Sequence, residues 1–168
     1  MPGTVGIGHT RWATHGGVND SNAHPHQVGK VTLVHNGIIE NYRELITDYD
    51  LAGDLKSETD SEVVAALLNR FYEGDPAEAI KKTVAKLKGT FALVILFADQ
   101  GDTIFSTRNV SPIVATSCKE GAMLASDLTA LCRFTNRYFV VPEYHILTLA
   151  ALSVSRYTCT VYGYARQY

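Results

Sequence analysis

Val31-Thr32-Leu33-Val34-His35-Asn36-Gly37 is followed at once by Ile38-Ile39-Glu40-Asn41-Tyr42-Arg43-Glu44-Leu45. The first five residues are rich in β-branched side chains and read as a strand. Asn-Gly after a strand is the strongest short hairpin signal, and a hairpin would return the chain antiparallel at once. The residues after Gly37, however, look like a helix start. Asn41 with Glu44 three residues on resembles a capping box, opening a helix through about Asp48. The strand is therefore expected to end at Asn36-Gly37 and the chain to leave the sheet for a helical layer.

The rest of the chain extends this layering. From Asp60, the residues Val63, Val64, Leu67, Leu68 and Phe71 recur at helical spacing and stop before Gly74-Asp75-Pro76. Pro76 suits the first turn of a further helix, with Ile80, Val84 and Leu87 facing inward and Gly89 ending it. Phe91 to Ala98 is almost wholly apolar, as in a strand buried on both faces. Strands are expected at Thr103–Thr107, Ile113–Thr116, Ala122–Ala125, Tyr138–Val141 and His145–Ala150, with a last one at Val154–Tyr162. A short helix is expected over Ser126–Phe134, with Cys132 buried on it as a small hydrophobe. Near the start, Val5 to Ala13 reads as a glycine-punctuated strand and Gly16 to Gly29 as a polar loop. Strands and helices in separate runs, without regular alternation, indicate an α+β fold.

The 168 residues suit one domain, and a chain near this size buries about 70% of its unfolded surface. At 46% hydrophobic and 19% charged, the composition excludes disorder. A formal charge of −2 with scattered Lys and Arg offers no nucleic-acid footprint. No membrane-spanning run or signal-peptide pattern is visible. Cys118, Cys132 and Cys159 stand in unrelated contexts, which argues against a disulfide framework and for a reducing cytoplasm.

Three features carry chemistry. Arg11, in Gly8-His9-Thr10-Arg11-Trp12-Ala13-Thr14-His15-Gly16, can hold a carboxylate by two parallel charge-assisted bonds, or is simply a surface arginine. Asn36-Gly37 can supply a side-chain amide and a backbone N–H to developing negative charge, or form a hairpin turn. Asp60, in Ser57-Glu58-Thr59-Asp60-Ser61-Glu62, can meet an ammonium, or cap a helix together with Thr59 and Glu62. His15, His24 and His26 are numerous enough for zinc, but no metal signature accompanies them, so neither a metal nor a cofactor is expected.

Taken with Asn22-Ala23-His24-Pro25-His26, these motifs resemble the class II glutamine amidotransferases, a family of N-terminal-nucleophile hydrolases. They are most similar to the glutaminase domains of glutamine–fructose-6-phosphate aminotransferases. The resemblance runs from about Gly6 to at least Val141. It implies an αββα four-layer sandwich and the release of ammonia from L-glutamine for glucosamine 6-phosphate synthesis. By resemblance, Arg11 binds the α-carboxylate of glutamine and Asp60 its α-ammonium, while Asn36 and Gly37 form the oxyanion hole. Thr14 and His15 line the pocket, and Trp12 lies near the route by which ammonia leaves. The family's nucleophile is an N-terminal cysteine, for which Met1-Pro2-Gly3-Thr4 offers no counterpart. The expectation is a single amidotransferase domain over 1–168, incomplete at its N-terminus, without its sugar isomerase domain and inactive alone. The competing expectation is a non-catalytic glutamine- or glutamate-binding or assembly module. A sheet lacking a strand would expose an unpaired edge and an apolar face, so a homo-oligomer is expected.

Overall fold

The computed structural model describes residues 4–11, 17–119, 121–153 and 156–163. Its centre is β2 (Val31–Ile39), which runs antiparallel to β3 (Gly89–Phe97) from Val31 opposite Phe97 to Gly37 opposite Phe91. A short β1 (His26–Val28) pairs with the start of β2 only as far as Leu33. On the other side of β3 lie β4 (Thr103–Asn109), β8 (His145–Ser153) and β9 (Arg156–Gly163), completing an antiparallel six-stranded sheet in the order β1-β2-β3-β4-β8-β9. A second sheet, β6-β5-β7, is formed by β5 (Val114–Cys118), β6 (Gly121–Ala125) and β7 (Phe139–Val140).

Side-chain alternation along the central strands separates two cores. Val31, Leu33, Phe91, Leu93, Ile95 and Phe97 face the helices, whereas Ala92, Leu147 and Leu149 pack with Ala115 of the second sheet and with Ile113 and Val141 beside it. The helix layer is built on α2 (Asp60–Phe71), whose first nine residues are all buried because the sheet lies below it and α1 (Tyr42–Asp48) and α3 (Pro76–Val84) beside it. The apolar spacing read from Val63 to Phe71 is thus borne out, as is α3, where Asp75 accepts from Glu78 N–H at 3.1 Å and Pro76 opens the first turn. The sandwich is the α+β arrangement expected, and the described residues supply a helical layer and two sheets of it.

Several local expectations fail, each for a physical reason. The strand β2 does not stop at Asn36-Gly37 but continues through them to Ile39, because β3 offers backbone partners as far as Gly89. Asn41 does not cap α1 with its side chain. It is drawn away to bridge Lys86 O and Lys88 N–H, both at 2.9 Å, which ties the start of α1 to the approach of β3. The helix α3 ends at Val84, well before Gly89, which enters β3 with a φ of +112°. Residues 5–11 form no strand; Arg11 takes a φ of +33°, far from the extended backbone a strand asks of a residue other than glycine. The polar loop contains a short 3₁₀ turn, Asp20–Asn22, and β1. The helix expected over 126–134 reduces to one 3₁₀ turn, Leu128–Ala130, capped by Asp127 accepting from Thr129 N–H at 2.7 Å. Cys132 consequently points outward and is exposed, not buried.

Candidate functional site

The site forms where the far end of β2 meets the first turn of α2. Along this edge of β2 the backbone N–H groups alternate in direction. Those of Ile38 and Glu40 point toward β3, to Thr90 Oγ1 and Lys88 O. Those of His35 and Ile39 point the other way, to His24 Nδ1 at 3.3 Å and to Asp60 Oδ2 at 2.8 Å. Alternation places Gly37 N–H between them on the same edge, beyond the end of β1. Gly37 is obligatory here: at its φ of +130° a Cβ would sit 2.1 Å from Thr90 O.

Asp60 sits here because other residues cap α2. Thr59 Oγ1 accepts from Glu62 N–H at 3.2 Å, and Glu62 Oε2 reaches back to the N–H groups of Lys56 (2.9 Å) and Ser57 (2.6 Å). This relieves Asp60 of capping. Its carboxylate takes one bond from Ile39 and turns toward a cavity of about 360 Å³, whose walls include Arg11, Asn36, Gly37 and Asp60. That volume lies at the small end of ligand pockets, about 300–1,000 Å³. Of the residues singled out in the sequence, these four are brought together. Trp12, Thr14 and His15 lie outside the described residues.

The cavity also gathers groups the sequence did not reveal. Thr90, which no sequence motif singles out, borders it and accepts from Ile38 N–H. His9 borders it too, with Nε2 2.6 Å from Asn36 Oδ1 and Nδ1 accepting from Arg11 N–H at 2.8 Å. His9 has no local sequence signal, since its partner lies 27 residues away. The Asn22-Ala23-His24-Pro25-His26 motif works as scaffold. Buried Asn22 bridges Gly17 O (3.0 Å) and Glu58 N–H (2.9 Å), and His26 Nε2 meets Thr59 Oγ1 at 3.0 Å.

The electrostatics suit a zwitterion. Burial, reinforced by His9, His26, His35 and Arg11, pushes His24 down to about 3. Burial is also the main cause of the lowered pKa of His26, where Glu62 opposes it, and of His35, where Asp60 opposes it. These three imidazoles are therefore neutral near pH 7. Among the described residues, the formal charges on the cavity wall are the Arg11 cation and the Asp60 anion, with the amide of Asn36 and the N–H of Gly37 as neutral donors. Among the described residues, no three His, Cys, Asp or Glu side chains come together to hold a metal ion. The His24 ring instead lies against that of His9, with centroids 4.3 Å apart, and meets His26 edge-to-face at 4.8 Å.

Residues 9–133 match the model of the glutamine amidotransferase domain. The chain belongs to this family. The amidotransferase chain is 46% identical over 148 residues to the isomerizing glutamine–fructose-6-phosphate aminotransferase of Thermotoga maritima, a match covering 86% of this chain and 24% of that protein. It is also 46% identical over 164 residues to the corresponding protein of Thermococcus kodakarensis, covering 93% and 27%. The chain thus spans about a quarter of the length of these relatives. Among solved structures, a glutamine phosphoribosylpyrophosphate amidotransferase from B. subtilis superposes with a TM-score of 0.69 at 21% identity, over 90% of this chain and 33% of that one. A glutamine aminotransferase class-II domain protein from Silicibacter pomeroyi gives 0.58 at 18% identity, over 86% and 72%. These likenesses establish the fold, that of the N-terminal-nucleophile hydrolases.

Proposed function

We propose that this amidotransferase chain is the glutaminase domain of a glutamine–fructose-6-phosphate aminotransferase, and that its cavity holds L-glutamine. Arg11 takes the α-carboxylate and Asp60 the α-ammonium. Asn36 Nδ2 and Gly37 N–H face the side-chain carbonyl, where negative charge develops when the amide is attacked. Donors so placed are typically worth about 3–4 kcal/mol each in the transition state. Trp12, Thr14 and His15 complete the pocket in this reading. The ammonia released serves glucosamine 6-phosphate synthesis on another domain. The observation that supports the reading is the meeting of Arg11, Asn36, Gly37 and Asp60 on one cavity of about 360 Å³.

The attacking group is a separate matter. Among the described thiols, Cys118 ends β5 in the second sheet with its thiol directed to Gly121 O, and Cys132 is exposed; neither borders the cavity. We therefore expect the 168-residue polypeptide, assayed alone, to bind glutamine without hydrolysing it. Loss of the nucleophile in a well-studied protease costs about 10⁶-fold in turnover, and binding with oxyanion donors leaves only about 10³–10⁴ over water. The same observation supports a second reading, a non-catalytic glutamine- or glutamate-binding module.

A thermal-shift titration separates these possibilities. L-glutamine at about 100 times its Kd stabilises a binding protein by about 2.7 kcal/mol, and the enantiomer should not. No shift at millimolar L-glutamine would refute both readings. Glutamate release at an enzyme's usual rate would refute the expected inactivity, and tighter binding of glutamate than of glutamine would favour the binding module.

A further inference from the structure

We propose that His9 is a positioning residue that sets the direction of the Asn36 amide and couples it to Arg11; this rests on the glutamine reading of the cavity. Arg11 N–H can only donate, and it donates to His9 Nδ1 at 2.8 Å. That nitrogen must therefore carry its lone pair, which leaves the proton of the neutral ring on Nε2. Nε2–H then donates to Asn36 at 2.6 Å, and the partner must be the amide oxygen, since an amide NH₂ accepts nothing. With its oxygen engaged by His9, Asn36 presents Nδ2 as a donor, and Nδ2 has no partner among the described residues.

A flipped amide would aim a carbonyl oxygen at the oxygen of the bound substrate, so one imidazole decides whether the site attracts or repels that charge. The bond to His9 holds the Arg11 N–H on the ring two residues earlier, and Arg11 itself takes a φ of +33°, uncommon for residues other than glycine. The carboxylate clamp and the oxyanion donor are thereby joined through His9, although Arg11 and Asn36 stand on separate segments of the chain. The His24 ring, 4.3 Å from that of His9 and tilted by 30°, supports the ring from one side.

The test uses the 168-residue protein with ¹⁵N-labelled asparagine, the Asn36 side-chain signals being identified by their loss in Asn36→Ser. His9→Phe keeps a ring against His24 and removes both hydrogen bonds; His9→Ala replaces it if the larger ring prevents folding. His9→Gln restores both, an amide NH₂ for Asn36 and a carbonyl for Arg11. The Asn36 amide signals are expected to move to the positions of a freely rotating side chain in His9→Phe and to return in His9→Gln. In parallel, His9→Phe should weaken L-glutamine about tenfold more than it weakens L-norvaline, which lacks the side-chain amide and shares only the Arg11 contact. Unmoved Asn36 signals, or an equal loss for both ligands, would overturn the role of His9 alone. A wild-type protein that binds neither ligand would overturn the glutamine reading and the positioning role with it.

Discussion

The two faces of the six-stranded sheet are built differently. On the helical face, Leu33, Leu67, Leu68, Leu93 and Ile95 are completely buried in one continuous core. On the other face the apolar cluster is smaller, and cavities of about 440 and 320 Å³ lie between the sheets, both bordered by Val34, Val94 and Leu124. Both are clefts open to solvent, whereas the helical face is closed and packed. The helical face supplies stability. The inter-sheet side leaves room, and the candidate site sits at its rim, where Asn36 and His9 border both the candidate cavity and the larger gap.

Truncation on the closed face is the strongest probe of this contrast. Leu67→Ala should cost about 2–5 kcal/mol in urea unfolding, because a fully enclosed site cannot collapse around the void. Next in size, Gly37→Ala should cost about 1–3 kcal/mol and abolish glutamine binding, since its Cβ meets the backbone of β3. Retained binding in that variant would remove Gly37 from the site.

Acid should weaken the site side first. His24, His26 and His35 are held neutral in the fold, while in the unfolded chain they protonate below about pH 6.5. The unfolded state then binds protons that the native state refuses. The stability from this source is complete above pH 6.5 and falls as the pH drops toward 3. Each excluded proton costs at most about 1.4 kcal/mol per pH unit, less where solvent screens the ring as at His24. Urea midpoints at about pH 7.5, 6.5 and 5.5 should decline, and hydrogen exchange should show β1 and the end of β2 losing protection before β3. A flat midpoint would contradict the neutral cluster. The smallest effect belongs to the open side: Val94→Ala should cost about 1 kcal/mol or less, because it enlarges voids already present. A loss equal to that of Leu67→Ala would erase the contrast between the faces.

What the sequence discloses depends on the range of the interactions involved. The helices α2 and α3 are legible because their spacing, Thr59 and Asp75 caps, and Pro76 are all local. The strand β3 is legible as an apolar run flanked by turns. The continuation of β2 is not, since Asn36-Gly37 signals a turn and only Ala92 and Phe91, more than fifty residues on, hold it extended. Asn41 misleads for the same reason, its bonds going to Lys86 and Lys88. Asp60 reads first as a cap and only second as a binding group until Ile39 N–H is seen to claim one oxygen. The positive φ of Arg11 and the role of His9 leave no local trace.

A crystal structure of the protein soaked with L-glutamine tests the site most directly. The ligand should lie in the 360 Å³ cavity with its carboxylate on the Arg11 guanidinium and its ammonium against Asp60. Its side-chain oxygen should stand within hydrogen-bond distance of Asn36 Nδ2 and Gly37 N–H. Glutamine found in the gap between the sheets, bound in the reverse sense, or missing from the cavity at saturating concentration would contradict that arrangement.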